Sequence, residues 1–220
     1  MKSNADLRPI TLLQNDYKIL AKITGKRLAR LEREYIKPMQ RAFVPGRDIR
    51  PNVILTQALI NQHKRSTDGA VLFIDFEKAY NQVDYDWLTK VFIKMGLGPV
   101  FTSMLELCLR GFQLRVRITS QAFENPFPRE RGVGQGCPCA AGLFVLNVEP
   151  LLRRLNRTLR GLKTAEEPAP CAKVSACCDD VTAYMEGEQD VKETRASIGT
   201  WCEATSGSTN WNKCELIPLG

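Results

Sequence analysis

Residues 174–184 read Val-Ser-Ala-Cys-Cys-Asp-Asp-Val-Thr-Ala-Tyr. Two short apolar, β-branched runs flank Asp179 and Asp180, the pattern of two strands joined by a tight turn. Asp tolerates the left-handed backbone such turns need, so the pair is expected at a hairpin tip with its carboxylates projecting. Residues 70–75 (A-V-L-F-I-D) form another apolar run, bounded by Gly69 and ending on a carboxylate, and read as a buried strand. If these strands are neighbours in one sheet, Asp75, Asp179 and Asp180 converge at one edge. Three like charges crowd together only where cations neutralise them. Mg²⁺ suits hard oxygen ligands and keeps room for substrate phosphates. Two such ions, ~3.5–4 Å apart, form the usual clamp for phosphoryl transfer. The plain alternative makes the aspartate pair a simple turn and Asp75 a helix cap.

The flanking sequence reads as alternating elements. Residues 15–36 show helical periodicity, with Tyr17, Leu20, Ile23, Arg27, Leu28 and Leu31 near one face, and Lys37-Pro38 ends the pattern. A loop with a Pro45-Gly46 turn signal precedes a second helical stretch from about Val53 to Lys64. Helices are expected over 85–95 and 99–109, and a half-buried strand over the alternating L-R-V-R-I (114–118). R-G-V-G-Q-G-C-P (131–138) is a Gly-rich turn with Pro138 at a plausible first helical position. The helix from Cys139 to about Leu159 contains Pro150 and should kink or break there. Residues 189–205 look helical, and a last short strand, C-E-L-I-P-L, follows a loop.

Composition bounds the class. The chain has 220 residues, 44% of them hydrophobic, enough for one large domain or two small ones. No apolar run approaches a membrane span and the N-terminus has no signal-peptide core, so a nuclear or cytoplasmic, non-membrane protein is the default. The 8 cysteines do not suit a disulfide scaffold, and Cys137/Cys139, Cys177/Cys178 and a single histidine, His63, do not suit zinc; they read as free, small hydrophobes. The net charge of +7 is uneven. Residues 1–67 hold 14 Lys/Arg against 5 Asp/Glu, a balance of +9, while the remainder holds 17 against 19, a balance of −2. A basic third beside a carboxylate-bearing remainder suits nucleic-acid contact; a solvated basic helix is the alternative.

Six blocks, in order, resemble the reverse transcriptases of LINE-type (non-LTR) retrotransposons. Residues 7–22 (L-R-P-I-T-L-L-Q-N-D-Y-K-I-L-A-K) and 40–52 (Q-R-A-F-V-P-G-R-D-I-R-P-N) resemble the finger blocks. Residues 73–84 (F-I-D-F-E-K-A-Y-N-Q-V-D) resemble motif A, 131–138 motif B, C-C-D-D-V (177–181) motif C, and S-G-S-T-N-W-N-K-C-E (206–215) motif D. The resemblance implies an α+β fold: a right-hand polymerase palm, an antiparallel sheet backed by helices, with partial, mostly helical fingers and no thumb. It divides the chain into partial fingers over 1–67 and a palm over 68–220, with a fingers-like insertion at roughly 85–132.

It also implies roles. Asp75, Asp179 and Asp180 become catalytic carboxylates and ligands of two Mg²⁺ ions, with Mn²⁺ as a substitute. Lys213 becomes a proton donor or charge partner for departing pyrophosphate. Phe76, Tyr80, Gly134, Gln135 and Gly136 become the dNTP site: the Phe76 carbonyl helps hold metal, Tyr80 excludes a 2′-hydroxyl, and the glycines let backbone approach the nucleotide. Arg8 and Arg47 are expected to contact phosphates. The partners are then an RNA template, a DNA primer and dNTPs. The sequence departs from the family pattern at Cys177, where an aromatic is usual, at Gly134, at Cys139-Ala140-Ala141 and at Asn81-Gln82, and it shows no endonuclease or Cys/His knuckle. The readings that follow are an RNA-directed DNA polymerase, a catalytically silent retroelement relic that binds nucleic acid, and, third, a metal-dependent nuclease.

Overall fold

The computed structural model describes residues 11–64, 69–118, 121–122, 125–165 and 170–220. Arg8 and the start of the first finger block therefore lie outside the described residues. Two helices lead, α1 (Asn15–Tyr35) and α2 (Arg50–Gln62), followed by strand β1 (Gly69–Ile74) and a 3₁₀ turn (Ala79–Gln82). Helices α3 (Tyr85–Lys94) and α4 (Pro99–Leu107) come next. Short ladders then pair β2 (Gln113–Leu114) with β5 (Phe127–Pro128) and β3 (Arg117–Ile118) with β4 (Gln121–Ala122). Helix α5 (Ala140–Thr158) precedes a small ladder of β6 (Leu162–Lys163) with β7 (Cys171–Ala172). The chain closes with β8 (Val174–Cys177), β9 (Asp180–Glu186), α6 (Gly187–Thr205) and β10 (Glu215–Leu219).

The organising element is an antiparallel sheet in the order β10-β1-β9-β8. Its strands are nearly continuous apolar runs because both faces are covered. On one face Ile74, Ala176, Val181, Ala183 and Met185 join Leu143, Phe144, Leu151 and Ile198 of α5 and α6 in the main core. On the other, Val71, Tyr184 and Leu219 pack with Leu59 of α2 and Leu162. A buried hydroxyl relay fixes α2 there: Tyr184 Oη lies 2.7 Å from both Ser175 Oγ and Thr56 Oγ1. Helix α1 enters the main core through Ala21 and Leu28. The apolar cores thus run across the division expected at residue 67.

Several elements differ from the sequence reading. The buried face of α1 follows Ala21, Thr24, Leu28 and Glu32, so Leu20 and Ile23 are exposed. The alternation over 114–118 does not give one strand. It is split between β2 and β3, with Val116 exposed, because only two-residue ladders partner it. Pro138 lies outside α5, whose cap is Cys139. Helix α5 also runs unbroken through Pro150. In the turn that Pro150 disturbs, the Asn147 carbonyl accepts the indole N–H groups of Trp87 (3.3 Å) and Trp201 (3.1 Å). Burial along the whole helix and these external donors hold it together where a lone helix would give way. The cysteines are all free, as expected.

Gly132 marks a tight backbone crossing. Its φ is +83°, and a Cβ there would lie 2.8 Å from the Asn81 carbonyl oxygen. Gly46 has almost the same φ, +82°, with open space around it. Gly46→Ala should therefore cost only the left-handed strain, about 1 kcal/mol. Gly132→Ala adds a backbone clash of about 1–3 kcal/mol more. Urea unfolding of the two variants checks this: equal midpoints would contradict the crossing.

Candidate active site

The two aspartates meet a hairpin shifted by one residue from the expected one. Cys177 pairs with Asp180, so the two-residue turn is Cys178-Asp179 and Asp180 begins β9. The left-handed residue is Cys178 (φ +61°), not an aspartate. Asp179 is half-buried and Asp180 exposed.

The β1–β9 ladder brings the third carboxylate to them. Its last pair is Ile74 with Val181, and one further step sets Asp75 across from Asp180. Burial and the charges of Asp179 and Asp75 push the Asp180 carboxyl above its ordinary range. The three acids therefore share one electrostatic field at one sheet edge, the kind of field that bound cations relieve. Among the described residues, no group of three or more His, Cys, Asp or Glu stands close enough to hold a metal ion. The donor chemistry fits a hard divalent cation, but the ligand set is open rather than closed, as mutually repelling carboxylates would leave it.

The rest of motif A is locked to motif D. Asn210 N–H donates to the Asp75 carbonyl (2.8 Å), and Glu77 N–H donates to the Ser208 carbonyl (3.0 Å). Gln82, one of the departures, accepts from Ser208 N–H at 2.7 Å and donates to Ser208 Oγ at 3.1 Å. Cys214 lies under Asp75, whose N–H points at its sulfur (3.4 Å). Phe76 is buried against Trp201, ring centroids 4.9 Å apart. Lys213 is exposed, in the turn just before β10.

Tyr80 is half-buried, stacked on Phe144 of α5 at 4.7 Å, with its hydroxyl 3.0 Å from Cys178 Sγ. Burial, the Cys178 contact and nearby Asp179 raise its pKa, so it stays neutral. The turn of motif B reaches the same region. Val133 N–H donates to the Tyr80 carbonyl and Gly132 N–H to the Val83 carbonyl, each at 2.8 Å. Gly134 is buried, Gln135 half-buried and Gly136 exposed with φ +95°. Arg129 fills the space beside Gly134, its Nη1 3.1 Å from where a Cβ would stand. It is held there over the Phe112 ring and by a 2.9 Å hydrogen bond to Tyr85 Oη.

Arg47 braces its own loop. Its guanidinium donates to the carbonyls of Ile36 (2.6 Å), Lys37 (2.6 Å) and Gln40 (2.7 Å). Three of the guanidinium's N–H groups are thus committed to the loop's own backbone. Among the described residues, Lys18, Lys22, Lys26, Arg27, Arg30 and Arg33 are exposed cations on α1. Sequence reasoning missed Gln40, Gln82 and Cys214. Each acts by touching backbone far away in sequence, and no local pattern signals that.

Known proteins resemble this chain. The family profile described as reverse transcriptase (RNA-dependent DNA polymerase) matches residues 1–218. The chain is 34% identical over 207 residues to a transposon TX1 uncharacterized 149 kDa protein of Xenopus laevis, a match covering 94% of this chain and 16% of that protein. The chain thus spans about a sixth of that relative's length. Among solved structures, apo telomerase of Candida tropicalis, truncated from its C-terminal domain, superposes with a TM-score of 0.63 at 12% identity, over 90% of this chain and 40% of that one. Telomerase of Candida albicans in complex with a fragment of telomeric RNA gives 0.60 at 10% identity, over 90% of this chain and 34% of that one. At such identities the structures speak for the fold alone. The profile match over nearly the whole chain, together with the transposon relative, establishes that this chain belongs to the reverse transcriptase (RNA-dependent DNA polymerase) family.

Proposed function

We propose that this chain is the polymerase domain of a LINE-type retrotransposon protein, adding dNTPs to a DNA primer on an RNA template. The observation that carries the proposal is the β1–β9 register, whose last pair, Ile74 with Val181, leaves Asp75 and Asp180 as the next residues at one sheet edge, with Asp179 beside Asp180. In this reading the primer 3′-hydroxyl attacks the α-phosphate of the nucleotide and pyrophosphate leaves. Asp75 and Asp179 would hold divalent ions, most naturally Mg²⁺ with Mn²⁺ as a substitute, and Asp180 would support their charge. When bound, two such ions stabilise the attacking and leaving oxygens. Lys213, exposed on the motif D turn, would offer charge to pyrophosphate.

The chain's own residues do the positioning. The Tyr80 ring, clamped between Phe144 and Cys178, is a rigid wall where a sugar C2′ would pack. The Gly134-Gln135-Gly136 turn, tied through Val133 to the Tyr80 backbone, would seat the base pair. Exposed Lys18, Lys22, Lys26, Arg27, Arg30 and Arg33 on α1 would carry template phosphates through charge. No helix among the described residues is long and apolar enough to cross a membrane, in keeping with work on nucleic acid in the nucleus or cytoplasm.

Primer extension on an annealed RNA template, with Mg²⁺ and dNTPs, tests the reading. Asp179→Asn should abolish incorporation while leaving nucleic-acid affinity unchanged or slightly raised, because a negative charge is lost. A large loss of binding in that variant would count against the assignment. Tyr80→Ala should admit ribonucleotides, measured as the ratio of ribonucleotide to deoxynucleotide incorporation. Unchanged sugar selection would remove Tyr80 from the gate.

A further inference from the structure

The catalytic hairpin is gripped from outside the sheet by one buried side chain. Gln40, fully buried, lies 138 positions before Cys178 in sequence. Its Oε1 accepts the Cys178 N–H (2.9 Å) and the Ala42 N–H (3.0 Å), and its Nε2 donates to the Cys178 carbonyl (3.2 Å). Both backbone groups of the one left-handed residue in the turn are thus taken by a single carboxamide. The neighbouring backbone reinforces the grip: Ala176 N–H donates to the Met39 carbonyl (2.8 Å), and Arg41 N–H donates to the Ala176 carbonyl (2.9 Å). Residues 39–41 therefore close the free edge of β8 beside Gln40, which forms a parallel bridge with Ala176.

The loop that presents Gln40 is itself fixed. The Arg47 guanidinium draws the Ile36, Lys37 and Gln40 carbonyls together. Glu149 of α5 accepts the Lys37 N–H at 3.1 Å. On the other side of the turn, Cys178 Sγ contacts the Tyr80 hydroxyl. A non-Gly residue held in the left-handed region relaxes unless its surroundings over-determine it, and Gln40 supplies that determination.

We infer that Gln40 is a positioning residue for catalysis: it holds Cys178 left-handed so that Asp179 and Asp180 face Asp75. This rests on the catalytic reading of those carboxylates. It assigns to the finger segment a part in aligning the reacting centre, apart from any contact with nucleic acid.

The test is a cycle of Gln40→Leu, Cys178→Gly and the double variant. Leu keeps similar volume and removes the three hydrogen bonds. Gly adopts a positive φ without strain, so it lessens the need for the clamp. In single-nucleotide addition, Gln40→Leu should lower kcat about 10- to 100-fold, the scale of a small misplacement. KM for dNTP and primer–template affinity should change little. The same substitution in the Cys178→Gly background should cost much less. Amide exchange over 176–181 should rise in Gln40→Leu while exchange in β1 holds. An equal kcat penalty in both backgrounds, or unchanged exchange over 176–181, would overturn the inference. A wild type that extends no primer would sink the polymerase reading alone, since the exchange measurement still decides whether Gln40 holds the hairpin.

Discussion

The structure depends on one ladder. The antiparallel register of β1 on β9 brings residues more than a hundred positions apart to one sheet edge, and a slip by one residue would turn Asp75 to the opposite face. The register has no slack because both faces are buried: Ile74, Val181 and Met185 under α5 and α6, Val71 and Tyr184 under α2. Hydrophobic burial thus works against a carboxylate repulsion that would otherwise open the edge. Burial first, and then the charges of Asp179 and Asp75, raise the Asp180 carboxyl at that edge.

Around the ladder, the supports are made from backbone contacts rather than side-chain recognition. The Asn210 and Glu77 N–H groups tie the segments before and after β10's turn and β1 together. Arg153 of α5 reaches back to the Tyr35 carbonyl and pairs with Glu149 (2.8 Å), which also receives Lys37. Burial pushes the Glu149 carboxyl up, while Arg153 and the Lys37 N–H hold it down. The loop after α1 is therefore anchored to the central helix, and through Gln40 the helix is linked to the hairpin tip. Residues 36–47, read in the sequence as part of the basic finger third, are hydrogen-bonded to the hairpin that carries Asp179 and Asp180.

The sequence made the sheet legible because its strands are short apolar runs with clear boundaries. It singled out Asp75, Asp179 and Asp180 less through their strand ends, which alone read as a turn and a cap, than through the order of the blocks around them. The hairpin came out one residue off, since Asp's known tolerance for positive φ pointed to the wrong residue and no local rule names Cys178. The face of α1 was misjudged because Leu20 and Ile23 look like core but stay exposed, while Glu32 is buried. Arg47 looked like a phosphate ligand because arginine often is one. Only the fold shows that three of its N–H groups also hold backbone carbonyls of its own loop. Proline at 150 signalled a break because the burial and the two indole contacts at the neighbouring Asn147 carbonyl come from elements far away in sequence.

The central claim is that the ladder's edge is a divalent-cation site built by Asp75 and Asp179. Mn²⁺ titration followed by electron paramagnetic resonance, with Mg²⁺ as competitor, tests it without any need for turnover. The account predicts Mn²⁺ uptake that Mg²⁺ displaces, and loss of that uptake in both Asp75→Asn and Asp179→Asn with the fold intact by circular dichroism. Uptake that survives either substitution would contradict it.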